Sequence, residues 1–129
     1  MQIKSFRDLR VWQAGIDLVR NVYELSSSFP RSEAYGLSSQ MQRAAVSIPS
    51  NIAEGHARES TKEYLQHLSI AQASLAELET QLEIAKQLNY ISEEEATRLL
   101  EKMNSLGRQL FALRNALINP KARTASPGS

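Results

Sequence analysis

The sequence predicts an all-α chain, an antiparallel up-down four-helix bundle with left-handed packing and a second helix kinked at Pro49. Apolar residues recur at alternating gaps of three and four through four separate segments, the spacing of one helix face. Two Ser-x-x-Glu boxes, Ser60–Glu63 and Ser92–Glu95, stand where the third and fourth segments begin. Such boxes satisfy the orphan amides of a helix start. No segment alternates apolar and polar residues as a half-buried strand would. A sustained 3.5-residue period also predicts helices crossing at about 20° in a left-handed bundle.

The first segment runs from about Phe6 to Ser27. Leu9, Trp12, Ile16, Val19 and Tyr23 form one stripe; Val11, Gly15, Leu18, Val22 and Leu25 form a second beside it. Trp12, Ile16 and Val19 are expected in the core, leaving Val11, Leu18 and Val22 as the candidate subunit interface. "SSSFP" ends the helix, because serines are poor in helix interiors and Pro30 disfavours helix at Phe29. The second segment starts near Leu37 or Ser38, after Gly36, with Leu37, Met41, Ala44, Ala45, Ile48 and Ile52 on its apolar side. The third runs from Ser60 to about Asn89, about 45 Å of helix at 1.5 Å per residue, with Tyr64, Leu68, Ala71, Leu75, Leu78, Leu82 and Ala85 in phase. The fourth starts at Ser92 and carries Ala96, Leu99, Met103, Leu106, Leu110, Leu113 and Leu117 to the stop at Asn119-Pro120. The link "NYIS" is short enough to force antiparallel neighbours. The bundle domain is placed at 1–119 and a flexible basic C-terminal tail at 120–129.

Pro49 lacks a backbone donor and crowds the carbonyl of Ala45. The register nevertheless survives it. Gln40, Arg43, Ser47, Asn51, Glu54 and Arg58 follow one another at gaps of three or four straight across the proline. A loop has no reason to hold phase, so the stretch reads as helix, bent at Pro49 and fraying after Gly55. Gly55 either lets another helix come close or caps the helix end. On the third helix Ser74 and Glu77 lie one turn apart. Should the two faces meet, they make a buried polar network, of use for register, assembly or ligand contact.

Composition narrows the chemistry. The chain has 129 residues, 42% hydrophobic, with no cysteine and a net charge of +1. Disulfides, thiolate chemistry and cysteine-based zinc sites are excluded. No apolar run approaches the roughly 18 residues of a membrane span, and the start has no secretory apolar region; a cytoplasmic location and no membrane partner are expected. Charge is uneven. Residues 54–101 hold four bases against ten glutamates, whereas Lys102, Arg108, Arg114, Lys121 and Arg123 follow with no acid. That basic end is either a solvated face with a tail or a nucleic-acid contact. Glu54 and His56 point to different sides of a helix, and Glu63 and His67 lack the partner motif of a di-iron bundle. No phosphate loop and no nucleophile paired with a base appear. No enzyme activity, catalytic residue, metal or cofactor is therefore expected, and His67 reads as a surface or interface residue.

"FRDLRVWQAGIDLV", "FPRSEAYGLSSQMQRAAVSIPSNIAEGHARES" and "YLQHLSIAQASLAELETQLEIAKQLNYI" together resemble the four-helix-bundle proteins known as 23S rRNA intervening-sequence proteins. "SIPSNIAEG", Arg58 and "SLAELET" are the most specific pieces, and the resemblance spans about Phe6 to Leu117. It implies an up-down bundle assembled as a homopentamer around a central channel. Some members are encoded within intervening sequences of large-subunit ribosomal RNA genes. Relatives serve diversity-generating retroelements, where a basic pentamer engages a reverse transcriptase and nucleic acid. The family name records gene location, not ribosomal RNA binding. Onto this chain the motif carries Gln40, Arg43, Ser47, Asn51, Glu54, Gly55 and Arg58, with Ser74 and Glu77. Many members have a second glycine before the arginine; here His56-Ala57 makes that turn more helical. The retroelement relatives are also strongly basic, unlike this chain.

Two functions follow as expectations. One is a non-enzymatic oligomer binding nucleic acid, RNA ahead of DNA, through Arg108, Arg114, Lys121 and Arg123, with Arg7 and Arg10 as the alternative at the opposite end. The other is a protein-interaction scaffold or accessory subunit with no nucleic-acid binding of its own.

Overall fold

The computed structural model describes residues 5–119. A 3-10 turn at Phe6–Asp8 leads into α1 (Arg10–Ser26); a second at Arg31–Glu33 leads into α2 (Leu37–His56); α3 (Thr61–Gln87) and α4 (Glu93–Ile118) follow. No strand occurs among the described residues, and no helix there is long and apolar enough to cross a membrane. Each helix packs on its neighbours in sequence and α1 closes the ring against α4, while the diagonal pairs keep their α-carbons more than 8 Å apart. Leu18, Val22, Met41, Ile48, Ile52, Leu68, Leu78, Met103, Leu106 and Leu110 fill the interior. Burying each such side chain is worth about 1.5–3 kcal/mol. The tail assigned to 120–129, with Lys121 and Arg123, lies outside the described residues.

Local chemistry sets the helix ends. Ser60 Oγ accepts from the Glu63 amide, and Ser92 from the Glu95 amide while Glu95 reaches back to the Ser92 amide. Asn89 takes a left-handed φ of 62° and ends α3. Its amide donates to Lys86 O and that of Tyr90 to Ala85 O, both at 3.0 Å, a Schellman closure in which asparagine stands in for glycine. The first turn departs from the expected continuous helix. Leu9 is extended (φ −76°, ψ 126°) and separates the opening turn from α1.

Two connections meet at one end of the bundle. Phe29, after α1, packs on Tyr90, after α3, with ring centroids 5.3 Å apart. The Tyr90 hydroxyl donates to Glu33 Oε2 at 2.8 Å, and Glu33 Oε1 accepts the Leu37 amide at 3.1 Å. Glu33 thus caps α2, whose N-cap residue Gly36 has no side chain to do so. The Tyr90 hydrogen bond, then the Leu37 amide, hold the Glu33 carboxyl below its usual range; the same bond pushes the Tyr90 phenol up.

The rotation of α1 departs from the sequence assignment at Val11, Ile16, Leu18 and Val22. Val11, Leu18 and Val22, expected at a subunit interface, are 6%, 1% and 0% exposed inside the bundle. Ile16, expected in the core, is 43% exposed and Tyr23 is 47% exposed. Trp12 and Val19 sit at the margin, packed against the core from outside. Gly15 explains the rotation. A Cβ built on it would lie 3.2 Å from Pro49 Cβ, so the notch of α1 receives the proline ring of α2. The stripe containing the smallest residue faces the neighbouring helix because only there can the backbones approach. The α2 helix runs unbroken across Pro49.

Candidate nucleic-acid interface and the polar seam

The polar stripe of α2 meets α3 in a connected chain of hydrogen bonds. Ser74 Oγ donates to Ser47 Oγ at 2.8 Å. The Asn51 amide nitrogen donates to Ser47 O at 2.9 Å and to Ser47 Oγ at 3.1 Å. That orientation turns Asn51 Oδ1 towards His67 Nδ1, 3.0 Å away. Asn51 Oδ1 can only accept, so Nδ1 carries the proton and donates. Glu54 Oε2 lies 3.7 Å from the same nitrogen. The helices come close here because residue 55 is glycine. A Cβ on Gly55 would lie 2.8 Å from His67 Cβ and 2.9 Å from Tyr64 Cδ1. Of the two roles open to Gly55, close approach is the one realised. His56 stacks edge-on against Tyr64 at 5.9 Å, and burial pushes the Tyr64 phenol up.

Other members of the stripe stay outside this chain. Gln40 and Arg43 are exposed. Arg58 lies past the end of α2 and faces Glu63 at 3.9 Å rather than Glu54. Glu77 Oε1 accepts from the Gln81 amide at 3.1 Å, leaving Gln81 Oε1 buried without a partner among the described residues. His67 was not legible as a member of the network. Its signal is the antiparallel register itself: with Ser47 opposite Ser74, residues four to seven positions along must also face one another.

The seam lacks the geometry of a nucleophilic site. Asn51 stands between Ser47 and His67, so the imidazole does not touch the hydroxyl and cannot take its proton. Among the described residues no group of three His, Asp or Glu side chains is placed to hold a metal ion.

The basic residues of α4 divide into neutralised and free. Lys102 Nζ is 2.9 Å from Asp17 Oδ2 on α1, and that hydrogen bond, opposed by burial and helped by Arg20, holds the Asp17 carboxyl low. Arg114 instead donates to Gln72 Oε1 on α3 at 2.7 Å. Its partner is a neutral amide, so its charge is positioned without being cancelled. Its Nε is buried with no hydrogen-bond partner among the described residues. Arg108 is exposed and forms no ion pair among the described residues. It borders a shallow groove between α3 and α4 lined by Glu79, Met103, Asn104, Gly107, Arg108 and Phe111. Phe111, absent from the sequence-based site, is 67% exposed. The structure thus places Arg108 and Arg114 along one helix, one turn before and one turn after Phe111.

The family model described as 23S rRNA-intervening sequence protein matches residues 7–112. Comparison with curated proteins finds no match. Among solved structures, the chain is similar to the crystal structure of a protein with unknown function from the S23 ribosomal protein family of Bacteroides thetaiotaomicron VPI-5482. The two share 21% identity and a TM-score of 0.75 over 81% of this chain and 97% of that one, which shows a common fold. With the family model covering the bundle from the opening turn to the last turns of α4, the chain belongs to the 23S rRNA-intervening sequence protein family.

Proposed function

We propose that the protein is a non-enzymatic, cytoplasmic, oligomeric bundle that binds nucleic acid, RNA ahead of DNA, through the basic face of α4. The observation that carries this reading is the state of two of its three arginines, Arg108 and Arg114. Arg108 has no counter-ion among the described residues and Arg114 is held by a neutral glutamine, so both charges remain available to phosphates. Assembly as the homopentamer that the family resemblance implies would repeat this pair in every subunit, with Lys121 and Arg123 adding to it. Phosphate contacts of this kind release counter-ions, so affinity falls steeply with salt. Fluorescence anisotropy against labelled structured RNA and duplex DNA across a salt series tests it. The reading expects binding that weakens with salt and is lost in Arg108→Glu with Arg114→Glu; unchanged binding in that variant defeats it.

A second reading, a protein-interaction scaffold, draws on a different feature. Ile16 and Tyr23 are exposed on α1 beside the half-buried Trp12 and Val19. This outward stripe replaces the Val11, Leu18 and Val22 stripe as the candidate subunit contact. Ile16→Asp with Tyr23→Asp is expected to lower the native mass measured by light scattering without unfolding the bundle. An unchanged mass removes α1 from the assembly.

A further inference from the structure

We propose that the α3–α4 groove recognises single-stranded nucleic acid by stacking an unpaired base on Phe111, an assignment that rests on the nucleic-acid reading above and narrows it to strands with free base faces. An aromatic ring on a regular helix is normally turned inward, yet Phe111 is 67% exposed while its neighbour Leu110 is fully buried. The ring makes no aromatic contact with another side chain of the described residues. Beside it, Gly107 leaves a gap that packing does not require. A Cβ there would meet only Leu75 Cδ2, at an ordinary 3.5 Å. At Gly15 and Gly55, by contrast, a Cβ would press on a neighbouring helix. A glycine inside a helix costs stability unless close approach demands it, and Gly107 gains no close approach in return. What it does provide is an open floor next to an exposed ring.

The charges around the ring suit a polynucleotide better than an apolar partner. Arg108 and Arg114 flank Phe111 at three residues to either side, neither neutralised by a carboxylate of the described residues. They offer phosphate contacts on both sides of a stacked base. Glu79, on the α3 wall, opposes phosphate within the groove itself but can accept hydrogen bonds from the exocyclic amine of a base. Asn104 supplies both a donor and an acceptor on the same wall as Phe111. Arginine for the backbone, an aromatic face for the base and polar side chains for its edge are the requirements of single-strand binding. Duplex bases are already stacked on one another and offer Phe111 no free face.

The test is anisotropy of the full chain with a labelled single-stranded RNA of mixed sequence and with the same RNA annealed to its complement. The wild type is expected to prefer the single strand. Phe111→Ala is expected to weaken single-strand binding by about tenfold or more, to leave duplex binding unchanged, and to be rescued by Phe111→Tyr. If Arg108→Gln with Arg114→Gln weakens binding but Phe111→Ala does not, the stacking assignment falls and the nucleic-acid reading stands. If the wild type binds neither RNA at low salt, both fall. A drop in native mass in Phe111→Ala also overturns the assignment, since it shows that a second copy of the chain covers the ring.

Discussion

The seam between α2 and α3 and the outer face of α4 both carry polar side chains at helical spacing, but they use them in opposite ways. In the seam, two hydroxyls, an amide and an imidazole satisfy one another, from Ser74 through Ser47 and Asn51 to His67. Along α4, Arg108 forms no ion pair among the described residues and Arg114 donates to the neutral amide of Gln72, so neither charge is cancelled there. The glycines differ in the same sense, Gly55 being required by contact and Gly107 not. Groups that spend their hydrogen-bonding capacity on each other fix helix register; groups that keep it in reserve can meet something outside the chain. Gln81, with its orphan Oε1, is the exception on the α3 side.

Substitutions can break or sharpen this contrast. Gly55→Ala is expected to have the largest effect, because the new methyl would press on His67 and Tyr64; overpacking of this kind costs about 1–3 kcal/mol, readable by urea denaturation. Asn51→Ala comes next. It removes the acceptor of His67 and a donor to Ser47, leaving part-buried groups unpaired at a cost of about 1–2 kcal/mol. Gly107→Ala is expected to go the other way, stabilising by about 0.5–1 kcal/mol, because its Cβ has room. A destabilised Gly107→Ala would erase the contrast between the two glycines.

The smallest effect concerns the tie between α1 and α4. Lys102 holds the Asp17 carboxyl below its ordinary value. A depressed carboxyl contributes stability above the unfolded pKa, about 3.9, and that contribution is lost as pH falls through the lower folded value. Lys102→Met is therefore expected to cost about 0.2–1 kcal/mol at neutral pH, as exposed pairs do. It should also flatten the decline in stability below about pH 4. A decline of unchanged steepness in denaturation midpoints would assign the acid sensitivity elsewhere.

Helix positions were legible in the sequence because each apolar face keeps its phase and the starts of α3 and α4 carry serine caps. The meeting of Ser47 with Ser74 could be expected from the shared polar spacing of α2 and α3. What periodicity does not determine is rotation about the axis when a helix has two apolar stripes. On α1 the stripe of Trp12, Ile16 and Val19 was expected inside, whereas Gly15, which marks the close approach to Pro49, lies on the stripe that is buried. Site chemistry was hidden for a related reason. Whether an arginine is neutralised depends on which residue of another helix it meets, and neither Gln72 beside Arg114 nor Asp17 beside Lys102 is near in sequence.

The most direct measurement is RNA anisotropy across a salt series for three folded proteins: wild type, Arg108→Gln with Arg114→Gln, and Asn51→Ala. If α4 is the working face and the seam is architecture, the arginine pair weakens binding and shallows the salt slope by about 0.7–0.9 per lost phosphate contact, while Asn51→Ala, though less stable, binds as wild type does. Loss of binding in Asn51→Ala with the arginine pair unaffected would contradict the account and move the functional site into the seam.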